Sequence, residues 1–461
     1  MMLGAIMVPH PPLILPEVGR GRESEISETS AAYDRAAKFL ADLGPDTVVV
    51  SSPHSAMYTD YFHISPGEHA EGSMADFGAP EASVSVDYDT EMVELISRYA
   101  SEEGLPAGTL GEKDSGLDHG TIIPLRFLGK YLTDYRLVRI GLSGLSLADH
   151  YRLGMLVQKV SDELGRKTAF IGSGDLSHKL KDYGPYGFAK EGPQYDERIM
   201  DVMGRAAFEE LFDFKESFLD RAAECGHRSF VIMAGALDGL AVEAEKLSHQ
   251  DVTGVGYGVC TYRVTGKDPG RRFLESWAKK QDDRISKLKE DEDPYVSLAR
   301  SAVEAYVRHG IRISVPEGLP KEMMSRRAGT FVSLHREGVL RGCIGTISAV
   351  RTNIAEEIIS NAISAASRDP RFYPVREEEL KDLEISVDVL GPSEKINSES
   401  ELDPSKYGVI VSKGARRGLL LPDLDGVDTV EEQVRIAKRK AGIPEWEKGC
   451  TLERFEVVRH T

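Results

Sequence analysis

Over residues 1–265, apolar β-rich runs alternate with segments whose apolar residues recur at helical spacing, and this alternation restricts the chain to an α/β domain built on a sheet. The runs at 3–8, 47–52, 137–141, 168–172 and 254–264 predict strands, while 27–43, 91–100 and 149–164 predict helices. In such domains ligands gather where loops leave the strand ends. Four histidines stand at or near those ends: His10 in VPHPP, His54 in SSPHS, His119 in LDHGT and His178 in GSGDLSH. Imidazole is the commonest transition-metal ligand and the commonest acid or base at neutral pH, so their joint occurrence predicts a metal or proton-transfer site.

The local chemistry supports that expectation. A strand ending at Val8 runs into successive prolines, which remove donors and force extended geometry, so His10 sits in a rigid loop. VVVSSPHS repeats the design with His54, and two imidazoles from adjacent strand ends are expected to converge on one ion. Gly172-Ser173-Gly174 lacks the GxxxxGK[ST] pattern of a phosphate loop and reads as room for a sharp turn that positions His178. His63, His69, His150 and His249 lack comparable surroundings and are expected to be exposed.

The remainder is a second unit. Residues 279–293 (KKQDDRISKLKEDED) carry 11 charges in 15 residues and predict a solvated helix or linker. The expected division is 1–266, a linker over 267–293, and 294–461. In the second unit 295–309 and 354–367 read as helices, 329–336 and 384–390 as strands, and 408–412 with 418–421 as a hairpin around KGARR, an α+β pattern. Its LRGCIGT motif places Cys343 between two glycines beside Arg341, whose guanidinium would lower the thiol pKa. The bland reading of Cys343 is a buried cysteine in a glycine-rich turn.

Composition sets the class. With 41% hydrophobic and 29% charged residues among 461, the chain has the makeup of a soluble globular protein of two or three domains. A net charge of −18 argues against nucleic acid as a partner, because phosphate binding relies on Lys and Arg. The sequence has no apolar run long enough to predict a membrane span, and the proline-broken amino terminus does not read as a secretory signal. Cys225, Cys260, Cys343 and Cys450 form no CxxC pair, which fits a reducing, cytoplasmic setting.

The PHPP, PHS, DHGT…PL and GSGDLSH elements, in that order and followed by AAECGHRSFVIMAGAL, resemble the class III extradiol ring-cleaving dioxygenases of the LigB type and the related Memo proteins. The resemblance implies an Fe(II)-dependent oxidoreductase, or one using another divalent transition metal, acting on a small aromatic or chelating substrate with dioxygen. It implies His10 and His54 as metal ligands, His178 as the acid/base and His119 as a substrate-side histidine. The third ligand is left open between Glu224, as in ring-cleaving members, and Cys225, as in Memo proteins. The Memo likeness implies the alternative of a metal-binding or scaffold protein without turnover.

LRGCIGT, the helix after it and SRDPRFYPV resemble the AMMECR-type domain across about 290–461, with Arg341, Cys343, Arg368 and Asp369 as its motif residues. That family brings an α+β fold and no reaction to carry over. The joining of the two families resembles the AmmeMemoRadiSam grouping, which implies a radical-SAM protein as partner. Homo-oligomers are a further expectation, since dioxygenase-like α/β domains often assemble.

Overall fold

A computed structural model describes residues 1–113, 116–336, 338–424 and 426–461. The chain divides into two compact units, Met1–Ala278 and Lys279–Thr461. The division falls inside one helix, Phe273–Glu290, where Ile285 alone is buried. Among the described residues no helix is long and apolar enough to cross a membrane.

The first unit is built on a six-stranded sheet in the order Arg136–Gly141, Thr47–Ser52, Thr168–Ser173, Met2–Val8, Tyr257–Lys267, Leu240–Gln250. The first four strands are parallel and the last two antiparallel. Thr47–Ser52 and Thr168–Ser173 are buried at every residue because helices cover both faces, as parallel sheets require. Successive side chains alternate between the two cores: Ile6 and Val8 pack on one side, Met7 on the other.

Helices Ser27–Asp42 and His119–Leu128 supply one core, and Leu147–Glu163 and His227–Gly235 the other. The strand predicted over 254–264 starts later, at Tyr257, and pairs with an edge strand, Leu240–Gln250, that sequence reading missed. That edge strand is half-exposed and interrupted by Glu243, Glu245 and Lys246, so it lacks the apolar run that marked its neighbours.

The second unit is α+β. Its larger sheet is ordered Val339–Gly345, Thr330–Arg336, Leu383–Leu390, Val457–His460, all antiparallel. Helices Pro294–His309 and Ile354–Ser367 pack on the face that carries Val332, Leu334 and Val387. A smaller sheet holds the hairpin Gly408–Lys413 and Arg416–Leu420, against helix Val430–Lys440.

LRGCIGT is strand rather than turn, since Cys343 lies within Val339–Gly345. Gly342 is there for close packing: a Cβ at that position would meet the Ala365 carbonyl oxygen at 2.4 Å, so the helix lies directly on the strand.

Candidate metal centre

His10, His54 and His119 converge at the carboxyl ends of the parallel strands, and their ligand-capable atoms lie within 4.8 Å of one another. The strands that deliver His10 and His54 are not adjacent, contrary to the sequence expectation; Thr168–Ser173 lies between them. That middle strand orients His10. Ser173 Oγ–H donates to the Gly120 carbonyl at 2.6 Å, so the same oxygen accepts from His10 Nδ1–H at 3.0 Å. The proton is thereby fixed on Nδ1, and the Nε2 lone pair faces the cluster.

His10 Nε2 stands 3.0 Å from His54 Nε2 and 3.6 Å from Cys225 Sγ. The His10 amide also donates to Asp175 Oδ1 at 2.8 Å, which fixes the PHPP loop. His119 opens helix His119–Leu128, whose cap is Asp118: its carboxylate accepts from Thr121 N at 3.1 Å and from the Ser52 hydroxyl. One carboxylate thus ties the His119 helix to the strand that carries His54. The His54 and His119 rings lie 4.0 Å apart, and Phe77, at the tip of a hairpin, sits edge-on to His119 at 5.2 Å.

The electrostatics favour an added cation. Burial, then the fields of His54, His119 and His178, holds His10 well below the usual histidine range. Burial followed by His54 pulls His119 down to about 4, and His178 likewise to about 4. Clustered imidazoles that stay neutral at pH 7 keep their lone pairs for a metal. Two nitrogens bound to one ion at about 2.1 Å are separated by about 3.0 Å at a right angle and about 3.4 Å at a tetrahedral angle, so the His10–His54 spacing suits a shared ion.

Glu224 and Cys225 are separated by their surroundings. Glu224 Oε2 accepts from the His227 amide at 2.5 Å, which turns the carboxylate toward helix His227–Gly235. Cys225 is the member of the pair beside His10. Burial raises both, Glu224 to about 7 and the Cys225 thiol well above its usual value.

The loop that brings Cys225 here depends on Gly174, where a Cβ would lie 2.1 Å from Gly226 Cα. Gly174 therefore serves a close backbone approach; its φ is not among the positive values, so the sharp turn expected of GSG does not describe it. His178 Nε2 is buried without a hydrogen-bond partner, and its ring stacks on Tyr186 at 5.1 Å.

Other histidines depart from expectation. His63 and His150 are buried, with Nδ1 on the Leu110 and Ser146 carbonyls, and His249 is half-buried beside Asp196 at 2.8 Å. Only His69 of those four is exposed. Each buried ring found a backbone or carboxylate acceptor, which local sequence does not reveal. His227 lies in the core against Leu211 O at 3.1 Å.

Sequence reasoning passed over Ser173, Asp175, Asp118 and Phe77. The cap could have been read from D-H-G-T, an aspartate directly before a helix start. Phe77 carried no signal.

In the second unit, Asp369 Oδ2 accepts from the Cys343 amide at 2.8 Å, so those two motif residues meet. Arg341 does not join them. A bulge in its own strand makes Arg341 the extra residue, with Gly342 opposite Leu334 and Leu340 opposite His335, and Arg341 instead binds Glu379 at 2.7 and 3.0 Å. The guanidinium beside Cys343 is Arg371, which binds Asp369 at 2.7 Å. Burial raises the Cys343 thiol, against the lowering expected from Arg341. Arg368 is exposed at the end of helix Ile354–Ser367.

Fold and site define an α/β domain with a three-histidine cluster at its strand ends that could hold a metal ion, joined to an α+β domain. Residues 4–260 match the family described as the catalytic LigB subunit of aromatic ring-opening dioxygenase, and residues 296–460 match AMMECR1. The chain belongs to the LigB family, whose members use a metal, and carries an AMMECR1 domain after it.

A Clostridium acetobutylicum protein is 41% identical over 465 residues, spanning 99% of this chain and 98% of its own. A Thermotoga maritima protein is 57% identical over 170 residues, 37% of this chain and 98% of its own. A crystal structure from Escherichia coli K12 is 17% identical and covers 57% of this chain and 99% of its own, with a TM-score of 0.37.

Proposed function

We propose that the first unit is a mononuclear metal oxidoreductase of the extradiol type, holding one divalent transition ion, Fe(II) first among them, on His10, His54 and His119. The observation that carries this reading is His178: a buried Nε2 with no partner, close enough to His54 to feel its charge. A bound divalent ion would polarise a chelating hydroxyl-bearing substrate and bring dioxygen beside it.

The chain's own residues do the rest. His178 Nε2, neutral at pH 7, accepts the substrate's hydroxyl proton and returns it later. Ser173 keeps the His10 lone pair aimed inward, and Phe77 and Tyr186 lie against the His119 and His178 rings, aromatic neighbours that suit a small aromatic substrate. His178→Ala should keep the metal and lose about 10²–10⁴-fold in oxygen uptake with catechols or aminophenols. Loss of metal in that variant would make His178 a ligand instead.

A second reading has its own observation. Cys225 rather than Glu224 stands beside His10. A thiol in that position favours softer ions than three imidazoles alone do, and so favours a Memo-like centre that binds metal without turning over. No oxygen uptake from the iron-loaded protein with any of those substrates would select it. A radical-SAM protein as partner and a homo-oligomeric state are proposed on the resemblance alone; co-purification and sedimentation test them.

A further inference from the structure

The larger sheet of the second unit has one face buried under helices and one that is polar. Cross-strand register puts Cys343, Ser333 and Ser386 in one row, and Phe331, Asp388 and Arg459 in the next. These residues share the face that looks into a cavity of about 1590 Å3. Helix Val430–Lys440 and the Arg416–Leu420 hairpin strand wall the cavity with Ile436, Lys440 and Leu419. Ile436 and Lys440 are four residues apart, so both point from one helix face.

The charges near the thiol nearly cancel, with one left over. Asp369 is held by Arg371 at 2.7 Å and Asp388 by Arg459 at 2.8 Å. Lys440 has no hydrogen bond or ion pair among the described residues, although its ammonium acts on both Cys343 and Arg371. Lys440 is an exposed residue, yet the surrounding protein pulls its pKa below the usual lysine value. Asp403, Asp423 and Asp428 also line the cavity, while the charges acting most strongly on the thiol are Arg371, Lys440 and Asp388. Ser333 Oγ–H donates to Cys343 Sγ at 3.2 Å, which holds the sulfur on the cavity floor.

We propose that this cavity binds a small anionic molecule with an apolar body, its carboxylate or phosphate on Lys440 beside the Cys343 thiol and its body against Phe331, Leu419 and Ile436. An unpaired cation in a concave, mostly apolar wall is the usual arrangement for fixing such a ligand's orientation. Seven carboxylates also line the cavity, against three arginines and Lys440, so the one unpaired cation fixes where an anionic head group can sit.

Two measurements on the full chain test this. In the first, sulfonate-bearing and trimethylammonium-bearing methanethiosulfonates compete for Cys343, with labelling read by peptide mass and normalised to glutathione. The sulfonate should be favoured about tenfold over the glutathione ratio, the scale of one cation at close range in a partly desolvated site. Lys440→Gln should abolish that preference and Lys440→Arg keep it, with melting temperature unchanged in both. A wild-type ratio equal to that of glutathione, or a preference that survives Lys440→Gln, overturns the proposal.

In the second, calorimetry titrates decanoate, decyl phosphate and decyltrimethylammonium. Saturable binding of either anion, weakened at least tenfold by Lys440→Gln, supports the site, and the tighter anion identifies the head group. Binding of decyltrimethylammonium as tight as that of the anions, or no binding of either anion, overturns it.

Discussion

His10 Nε2 and His54 Nε2 face each other at 3.0 Å from strands that are separated in the sheet by Thr168–Ser173. The Ser173–Gly120 hydrogen bond commits the His10 proton to Nδ1, so the contact is built around a lone pair. Metal content should therefore fall below stoichiometric in His10→Ala and vanish in the His10→Ala/His54→Ala double variant, with far-UV circular dichroism unchanged. Full occupancy in the double variant, read by elemental analysis, would remove the site.

Ser173→Ala leaves all three imidazoles in place and removes only the acceptor that orients His10. Metal affinity should drop about 10–100-fold, the scale for losing a partner that holds a metal-binding histidine. Competition against a chelator of known affinity measures it. Unchanged affinity would mean that the PHPP loop alone orients the ring.

Cys225 and Glu224 are adjacent in sequence and differ in what they face. If the centre takes Cys225 as a further ligand, the Co(II) protein should show a near-ultraviolet sulfur-to-cobalt band that Cys225→Ser abolishes and Glu224→Gln leaves intact. Absence of the band in the wild type, together with loss of cobalt in Glu224→Gln but not in Cys225→Ser, would put Glu224 on the metal and require the loop before helix His227–Gly235 to rearrange on binding.

Burial brings His150 down to about 3, with Nδ1–H donated to the Ser146 carbonyl at 2.8 Å. The unfolded chain takes up this proton near pH 6.5, whereas the folded chain does so only near 3. The unfolded state therefore binds more protons between those values. Stability from keeping His150 neutral is complete above pH 6.5 and is lost progressively as pH falls toward about 3. The contribution of this one group is about 1.4 kcal/mol per pH unit, or about 2 kcal/mol between pH 6.5 and 5. In metal-free protein, urea titrations should show His150→Gln with a shallower loss of stability over that window, by about one proton. An unaltered slope would show that His150 already titrates in the folded state.

The helix Phe273–Glu290 sets where the chain can be cut. Trp277 stacks on Phe212 with ring centroids 4.9 Å apart, and the Phe273 amide donates to Asp238 Oδ1 at 2.9 Å. A fragment ending at 266 lacks both, and should be less stable than Met1–Ala278 by about 2–3 kcal/mol, the scale of burying and stacking such side chains. Chemical denaturation of the two fragments decides. Equal stabilities would make the first turns of the helix dispensable to the first unit.

Much of this was legible in the chain. The strands at Met2–Val8, Thr47–Ser52, Arg136–Gly141 and Thr168–Ser173 were marked by apolar runs, because a strand buried on both faces admits little else. Prolines around His10 and small hydroxyl residues before His54 showed locally that histidines leave those strand ends. In the second unit the KGARR hairpin and the helix Ile354–Ser367 were equally plain.

What meets what was decided only in three dimensions. Sequence set His10 and His54 on strand ends, but the strand between them and its Ser173 come from sheet order. It placed Glu224 and Cys225 side by side, and a helix-capping bond turned one away while the other reached His10. It put Arg341 next to Cys343, and a bulge exchanged that neighbour for Arg371, 28 residues further along. Periodicity and local sterics fix which residues form an element and which face they occupy. Convergence of side chains from distant elements depends on strand order, bulges and the path of loops, and on which buried polar group finds a partner first.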